Sequence, residues 1–479
     1  MPEQKKVINN KILCAIVATG ILSFAGVATE TAMNLAFSKI MAEFGVATDD
    51  VQWLTTGYLL VLSLIIPLSS YFKQRFTNKR LFAAAVAVFT TGTLLAMTAG
   101  SFAQLLVGRL VQGLGTGIGL PLMFNIILEQ VPPERTGSMV GMACLVTAVA
   151  PAVGPFAGGF IITYWGWRMI FAVLLPVLAV ACVMGLTAIK QVSLVSEASF
   201  KWLDYLFIVI GFTALVLGTS CSAKLGWLSG ATLLLFAAGF LALCIFYYRA
   251  RRQQAPLLDV AIFHNAKFSL SLLSVIILQF IVLGLSFLLP NYAQLVLGDD
   301  PFSAGTILIP GCIAGFIITP IGGRLLDAFG AARPILAGNI LALIGACAIG
   351  SFLGLGSWAL MFAYVVFASG QALMMANTFT NAMAQLTPVE KRSGNAAFNT
   401  FQQLAGAFGT SVTASIVAAS QAAGGSFAAA TEQGTAYALL LLIVLMVCIL
   451  LCSCKIFNLR ISGICHIWGK TVTSLYKSL

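Results

Sequence analysis

VPPERTGSM, at residues 131–139, and TPVEKRSGN, at residues 387–395, share one pattern: Pro-x-Glu-basic, followed by Gly where the next apolar segment opens. A second pair of loops precedes them by about 60 residues in each case, SYFKQRFTNKR at 70–80 and GRLLDAFGAAR at 323–333. Two related loops at the same spacing indicate an internal repeat. The repeat predicts two similar halves, each with its own set of elements around these loops.

The segments between the loops are apolar and long. Hydrophobic residues make up 59% of the chain and charged residues only 9%, against about 25% in an ordinary soluble domain. A soluble chain of this length could not bury so much apolar surface, so the sequence predicts an all-α polytopic membrane protein. We place fourteen spans at 12–37, 53–72, 81–99, 102–128, 138–163, 168–189, 205–222, 228–248, 268–292, 303–326, 334–355, 358–385, 396–420 and 435–458.

The basic residues fall on one side of these spans. Of the 26 Lys and Arg, only Lys39, Arg168 and Lys224 lie in loops of the opposite side, and Arg109 lies within a span. By the positive-inside rule this asymmetry predicts that both termini are cytoplasmic and that the protein is a multi-pass protein of the cytoplasmic membrane. The net charge of +11 is explained by topology, and we expect no nucleic-acid partner.

The repeat and the span count together give a domain plan. We expect an N-terminal six-helix bundle at 1–193, two linker helices at 194–250, a C-terminal six-helix bundle with its preceding cytoplasmic loop at 251–460, and a cytoplasmic tail at 461–479. Duplicated six-helix halves are a transporter plan, with the binding site near mid-membrane between the halves.

Four stretches carry a resemblance to a known family: LVGRLVQGLGTG (106–117), APAVGPFAGG (150–159), YWGWRMIF (164–171) and PLLDVAIFHN (256–265). With them, the chain resembles the major facilitator superfamily, in particular its fourteen-helix drug:proton antiporter branch. The resemblance covers nearly the whole length. It implies the major facilitator fold, two six-helix bundles plus two extra helices, and transport by alternating access.

Within that branch, ETAMNLAF (30–37) followed by VQWLTTGYLLV (51–61) most resembles the lincomycin-type multidrug exporters. Two departures stand out. The superfamily's loop signature has Ser70 and Gln74 in the first half where Gly and Asp are usual, and Thr29 stands where the branch often has an aspartate. The acid of this chain, Glu30, therefore faces about 100° further round the helix.

The resemblance also implies gating residues. The fifth-span motif GPxxGG is implied to seal the external side, although its small residues could equally serve only to let helices pack closely. The loop signature survives in the second half. The gating residues so implied are Gly154, Pro155, Gly158 and Gly159, together with Gly323, Asp327, Gly330 and Arg333.

Glu30 and Arg109 are the only acidic and basic residues placed deep within the predicted spans. Each lies about seven residues from the outer end of its span, so both lie roughly 10 Å below the outer surface. One interpretation is a structural bridge between two helices. The other is a proton-coupling site, since burial disfavours a charged carboxylate and a nearby guanidinium favours it.

Polar and aromatic residues of the spans are candidates for substrate binding. Each could instead serve in packing or in hydrogen bonds between helices. They are Asn34, Tyr58, Gln112, Phe124 and Asn125 in the first half, and Gln279, Phe287, Gln371, Asn377, Phe379, Asn399 and Gln402 in the second.

Other classes of protein lack support. The two histidines, His264 and His466, have no partner suited to catalysis or metal binding, and no phosphate-binding loop is present, so we expect neither an enzyme nor a cofactor nor a metal site. The eleven cysteines lie mostly in apolar runs, as small buried residues do. We expect a monomer in the lipid bilayer that exports lipophilic, often cationic, drugs in exchange for protons. The alternative is a proton-coupled transporter or flippase of a single endogenous amphipathic metabolite or lipid.

Overall fold

The computed structural model describes residues 10–191, 200–253, 259–387, 390–424 and 426–457. Within these ranges the chain is helical and contains no β-strand. The expected domain boundary at 193 and the tail at 461–479 lie outside the described residues.

The first half contains six long helices. The second of them is broken at Pro67, where the turn Ile66–Leu68 separates it from a further helix, Ser69–Arg75. A four-residue helix, Thr48–Val51, precedes this second long helix. The six are α1 (Asn10–Phe44), α2 (Trp53–Ile65), α3 (Asn78–Met97), α4 (Phe102–Gln130), α5 (Pro133–Trp165) and α6 (Arg168–Ala188).

Two insert helices and a second set of six follow. The insert consists of α7 (Trp202–Leu225) and α8 (Gly230–Arg251). The span predicted at 303–326 is divided, because a short helix, Pro301–Thr306, precedes the longer helix Ile309–Phe329. We call Pro301–Thr306 the short distal helix. The second half comprises α9 (Ala266–Leu295), α10 (Ile309–Phe329), α11 (Ala332–Ser351), α12 (Ser357–Ala384), α13 (Glu390–Ala422) and α14 (Phe427–Ile456).

Polar residues fix where several helices begin. The side chain of Ser101 accepts a hydrogen bond from the backbone of Gln104 at the start of α4, and Asn265 accepts from Lys267 and Phe268 at the start of α9. Asp300 caps the short distal helix in the same way. Such caps satisfy amide groups that have no partner within the helix.

The two halves pack alike. In the first half α1 contacts α4, α5 and α6, while α3 contacts α4 and α6. In the second half α9 contacts α12, α13 and α14, while α11 contacts α12 and α14. Twelve of the fourteen long helices are long and apolar enough to cross a membrane by length and composition. The predicted fold, two six-helix bundles plus two extra helices, is confirmed.

Three pairs of long helices join the halves, namely α2 with α13, α5 with α10, and α1 with α9, and the short helix Pro301–Thr306 also packs against α5. We call the face where α1 begins and α14 ends the terminal face, and the opposite face the distal face. Direct hydrogen bonds join the halves toward the distal face: Asn34 to the carbonyl of Ser286 (3.4 Å), Ser38 to Gln294, Thr48 to Gln421 (2.9 Å) and the amide of Phe302 to Thr163 (3.2 Å). The distal face is therefore closed.

Candidate functional site

Glu30 and Arg109 are both buried in the first half, with 5% and 0% of their surface exposed. Glu30 lies one helical turn after Gly26, on the same face of α1. A Cβ atom at Gly26 would lie 2.5 Å from Thr116 and 2.8 Å from the hydroxyl of Tyr58, so this face of α1 meets α2 and α4 at very close range. The absence of a side chain at Gly26 thus brings Glu30 close to the elements that hold Arg109.

The Arg109 guanidinium is held by uncharged groups. Its Nε donates to the carbonyl of Leu54 (3.2 Å) and its Nη1 donates to Oε1 of Gln112 (2.7 Å). The guanidinium carbon lies 4.3 Å from the ring centroid of Tyr58, a cation–π contact. The remaining nitrogen, Nη2, is buried without a hydrogen-bond partner among the described residues.

Two further hydrogen bonds fix the groups that hold Arg109. The Tyr58 hydroxyl donates to Oγ1 of Thr116 (2.9 Å), and Nε2 of Gln112 donates to Oγ1 of Thr93 (2.8 Å). All four of these side chains are fully buried. The arginine is therefore positioned by a network that spans α2, α3 and α4.

Glu30 has no direct partner in this arrangement. Among the described residues, the Glu30 carboxyl forms neither a salt bridge with Arg109 nor a hydrogen bond, although Arg109 is near enough to act on Glu30 electrostatically. The neighbouring hydroxyls of Thr29 and Thr31 donate to carbonyls of their own helix, Ala25 (2.5 Å) and Ala28 (3.2 Å). The Glu30 carboxyl and the Arg109 guanidinium therefore lie in one buried site, but no direct contact between them is described.

The GPxxGG glycines lie between α1 and the second half. A Cβ atom at Gly154 would overlap Thr31 and the carbonyl of Ala28, and one at Gly158 would lie 2.5 Å from Ala32. On the other side, a Cβ at Gly159 would lie 2.9 Å from the carbonyl of Pro301, and one at Gly305 would lie 2.7 Å from the carbonyl of Pro155. The motif packs α5 against the helix that bears Glu30 and against the short distal helix of the other half.

Five of the twelve substrate-binding candidates are buried and contact other residues of the protein. Tyr58 and Gln112 hold Arg109, as described above. Asn34 accepts from Thr55 (2.8 Å) and reaches the second half at Ser286, while Asn377 donates to the carbonyls of Gly322 (3.2 Å) and Leu373 (2.7 Å). Phe287 packs on Phe37, with ring centroids 6.1 Å apart. With the distal face closed, these five side chains are therefore occupied by contacts within the protein.

The other seven candidates are partly exposed. Gln402 donates to Gln279 across α13 and α9 (3.2 Å), and Phe379 stacks edge-on against Phe398 with centroids 5.1 Å apart. Asn399 donates to the carbonyl of Asn395 (2.9 Å) within its own helix. Asn125 lines a small pocket inside the first half with Phe72 and Leu122. Phe124 and Gln371 complete the set.

The second-half loop residues make few contacts. Gly330 adopts a left-handed conformation (φ 77°), which ends α10 and which favours glycine. Arg333 lies over the ring of Phe329 at 5.4 Å, and a Cβ at Gly323 would meet nothing within 4 Å. Asp327 is exposed and forms no ion pair with any described residue. No contact described for these four residues crosses between the halves.

Sequence reasoning missed the hydroxyl residues that support the site and the contact between halves. Thr93 and Thr116 hold the partners of Arg109, and Thr56 meets Thr410 across the halves at 2.8 Å. One signal was available, because TSVTAS (410–415) places four hydroxyls in an otherwise apolar stretch of α13. Buried hydroxyls need partners, so such a cluster indicates contact with another helix.

The comparisons with known proteins agree with this architecture. The family model for the Major Facilitator Superfamily matches residues 19–410. The Lincomycin resistance protein LmrB of Listeria monocytogenes is 35% identical over 410 residues, which cover 85% of this chain and 87% of that protein. The Multidrug resistance protein B homolog of Mycobacterium tuberculosis is 29% identical and covers 80% of this chain and 72% of its own length.

Solved structures share the fold at low identity. A bacterial homologue of the human lysosomal transporter Spinster, in an inward-facing and unoccupied conformation, has a TM-score of 0.67 at 14% identity, covering 94% of this chain and 99% of that chain. A POT family transporter in complex with 5-aminolevulinic acid has a TM-score of 0.68 at 14% identity, covering 94% and 98%. These likenesses concern the fold.

Proposed function

We propose that this chain, which belongs to the Major Facilitator Superfamily, exports lipophilic, often cationic, drugs across the cytoplasmic membrane in exchange for protons. It is a multi-pass membrane transporter and not an enzyme. Relatives named for lincomycin and multidrug resistance support drugs as the substrate class. The observation that carries proton coupling is the buried Glu30, without a direct partner, beside the neutral network that holds Arg109.

The buried site has the properties that a proton carrier needs. Burial disfavours the charged carboxylate of Glu30, and the field of Arg109 favours it. Because no hydrogen bond fixes their separation, small movements of α1 against α4 change the balance between the two effects. An acid under such control binds a proton in one conformation and releases it in another.

Alternating access supplies the movement. The basic residues lie mainly on the terminal face, so we assign that face to the cytoplasm. The closed distal face then corresponds to the exterior, so the arrangement described above is closed to the outside. Opening of the distal face requires α1, α2 and α5 to part from α9, α13 and the short distal helix, which changes the packing on both sides of Glu30.

The number of protons exchanged per substrate follows from a single deep acid. With one titratable carboxyl, we expect about one proton per substrate, so that exchange with a monovalent cation is nearly electroneutral. A membrane potential imposed without a pH gradient should then drive little transport of such a cation. Strong potential-driven transport would require a second coupling acid, and Asp327→Asn would be the first variant to examine.

Inside-out vesicles that carry the purified protein and an entrapped pH-sensitive dye provide the test. We expect lincomycin or a lipophilic cation such as tetraphenylphosphonium to dissipate an imposed pH gradient, and the Glu30→Gln variant to abolish this response. Dissipation by a single lipid or amphipathic metabolite, with no response to any drug, would replace drug export by the flippase alternative. A full response in Glu30→Gln vesicles would exclude Glu30 as the carrier.

A further inference from the structure

The two insert helices are attached to the transporter mainly through α7. Helix α8 packs along α7, where a Cβ at Gly239 would lie 3.0 Å from the carbonyl of Gly211, and otherwise touches the turn Val260–His264. Its outward face is apolar and exposed, with Leu234 and Phe240 among the most accessible side chains. Most contacts of the insert with the two halves are therefore made by α7.

Helix α7 lies at the seam between α2 and α13, where the two halves meet. Toward the second half it forms three hydrogen bonds: Thr219 Oγ1 with Ser411 Oγ (2.7 Å), Ser220 Oγ with Ser411 Oγ (3.2 Å), and Ser415 Oγ with the carbonyl of Thr219 (3.0 Å). Phe212 adds a ring contact with Phe401, with centroids 6.2 Å apart. These contacts lie along one face of α7.

Toward the first half, one hydrogen bond of α7 is described. Nε2 of Gln52 donates to Oγ of Ser220 at 3.2 Å. Gln52 is fully buried, and its Oε1 accepts from Thr56 (2.5 Å), whose hydroxyl meets Thr410 of the second half. Ser220 therefore lies where three helices meet, bonded both to Gln52, which directly precedes α2, and to Ser411 of α13.

We propose that α7 is a latch on the distal seam and that it moves as part of the second half. When the halves separate at the distal face, the bond between Ser220 and Gln52 breaks, whereas the bonds to α13 persist, because α7 packs along α13 and touches α2 less extensively. The insert then stabilises the distal-closed state through a contact that must be broken to leave it.

This inference rests on the alternating access of the proposed function but on neither its substrate nor its proton. Distances between spin labels in lipid nanodiscs test it without transport. Labels at Ala42→Cys on α1, Leu225→Cys at the end of α7 and Ala422→Cys at the end of α13, in a chain whose native cysteines are replaced, report three separations. We expect the α1–α13 and α1–α7 distances to lengthen together, while the α7–α13 distance stays constant.

A matched pair of variants measures the latch itself. Ser220→Ala removes the hydroxyl that reaches Gln52, whereas Ser222→Ala removes a buried hydroxyl that bonds only within its own helix, to the carbonyl of Thr219 (2.7 Å). We expect Ser220→Ala to raise the ratio of distal-open to distal-closed molecules about threefold over Ser222→Ala, the effect of an average hydrogen bond inside a membrane protein. Equal ratios in the two variants would overturn the latch. A lengthening α7–α13 distance would overturn the assignment of α7 to the second half.

Cross-linking provides a second measurement that does not depend on label distances. A disulfide between Ser220→Cys and Gln52→Cys should hold the distal face closed until a reductant is added, as judged by labelling of that face. A disulfide between Ser220→Cys and Ser411→Cys should leave opening unaffected. If the second disulfide also prevented opening, α7 would have to part from α13, and the proposal would be wrong.

Discussion

The first and second halves of this transporter are built to one plan but differ in their buried chemistry. Corresponding helices pack in corresponding pairs, and close approaches recur: a Cβ at Gly92 would meet the backbone nitrogen of Gln112, and one at Gly345 would meet that of Phe367. Yet the first half buries Glu30 and Arg109, whereas the described residues of the second half include no buried Asp, Glu, Lys or Arg.

The difference can be located residue by residue. Counted from the first residue of each helix, the place of Arg109 in α4 is taken in α12 by Tyr364. Gln112, which holds Arg109, corresponds to Phe367. Helix α9, which packs in the second half as α1 does in the first, buries no acidic residue. The second half therefore keeps the packing without the buried charges.

The comparison suggests a division of labour. Two halves that both carried a buried acid would have two titrating sites to coordinate, whereas one such half leaves the other free to provide neutral surface for substrates. We expect substitutions at the charged site of the first half to affect coupling. Matched substitutions at corresponding positions of the second half should affect it far less.

The largest effect is expected for Glu30→Gln. Glutamine preserves size and hydrogen bonding but cannot titrate, so the variant should fold while losing gradient-driven export. One proton per substrate supports about a tenfold concentration ratio per pH unit, because each unit is worth about 1.4 kcal/mol. We expect this ratio to fall to about one in the variant, measured as drug accumulation in vesicles at matched protein levels.

Ser286→Ala is the matched change in the second half. It removes a buried hydroxyl from α9, the helix that packs in the second half as α1 does in the first, and should leave the accumulation ratio close to that of the wild type. The carbonyl of Ser286, which accepts from Asn34, is retained. Equal loss in both variants would mean that the asymmetry of charge has no functional counterpart.

Arg109→Met should lower both coupling and stability. Methionine removes the charge that acts on Glu30 and leaves the carbonyl of Leu54 and the Gln112 amide oxygen without their donor. Breaking a buried charge pair on one side commonly costs about 3 to 5 kcal/mol. Since Glu30 and Arg109 form no direct salt bridge, we expect a smaller loss, read as the melting temperature in detergent together with the accumulation ratio.

The double change Glu30→Gln with Arg109→Met tests whether Glu30 carries protons or whether the pair only joins two helices. If the pair served only to join helices, well-fitting neutral groups could restore both stability and transport. We expect stability to recover partly and gradient-driven transport to stay absent. Recovery of transport in the double variant would assign the pair to structure.

Much of the plan could be predicted from the sequence. The loops at 131–139 and 387–395 indicated the duplication, and hydropathy located every long helix, because lipid requires each spanning segment to be apolar and to satisfy its own backbone. The places of Glu30 and Arg109 well inside predicted spans also agree with their burial in the structure. Their depth below the membrane surface stays a prediction.

The contacts around the site could not be predicted in the same way. Whether Glu30 meets Arg109 directly depends on the rotation of α1 and α4 about their axes, which is set by approaches such as that of Gly26 to Thr116. Tyr58 and Gln112 looked like substrate groups because polar side chains in a span have several possible roles. Only the packing of three helices assigns them to Arg109 in this conformation.

Gly159→Ala should have an intermediate effect, on the contact between the halves. The added Cβ would lie 2.9 Å from the carbonyl of Pro301 and 3.0 Å from the Cα of Phe302, and both are backbone atoms that cannot rotate away. Overpacking of this kind typically costs about 1 to 3 kcal/mol. We expect the distal-closed state to be disfavoured at least about fivefold, with a faster passive proton leak into vesicles in the absence of substrate.

Gly323→Ala is the control for this prediction, because a Cβ there would meet nothing within 4 Å. It belongs to the loop signature of the second half, for which no described contact crosses between the halves. An unchanged leak in Gly159→Ala, or an equal leak in both variants, would contradict a sealing role for the GPxxGG motif in the first half.

The smallest effect is expected for Tyr58→Phe, which keeps the ring beneath Arg109 and removes only the hydrogen bond to Thr116. An average hydrogen bond in a membrane protein is worth about 0.6 kcal/mol, equivalent to about 0.4 pH unit. The midpoint of the pH profile of exchange should therefore move by no more than this amount. Tyr364→Phe, at the position that corresponds to Arg109, should not move it at all. A larger shift in Tyr364→Phe than in Tyr58→Phe would place a titrating group in the second half and undo the division between the halves.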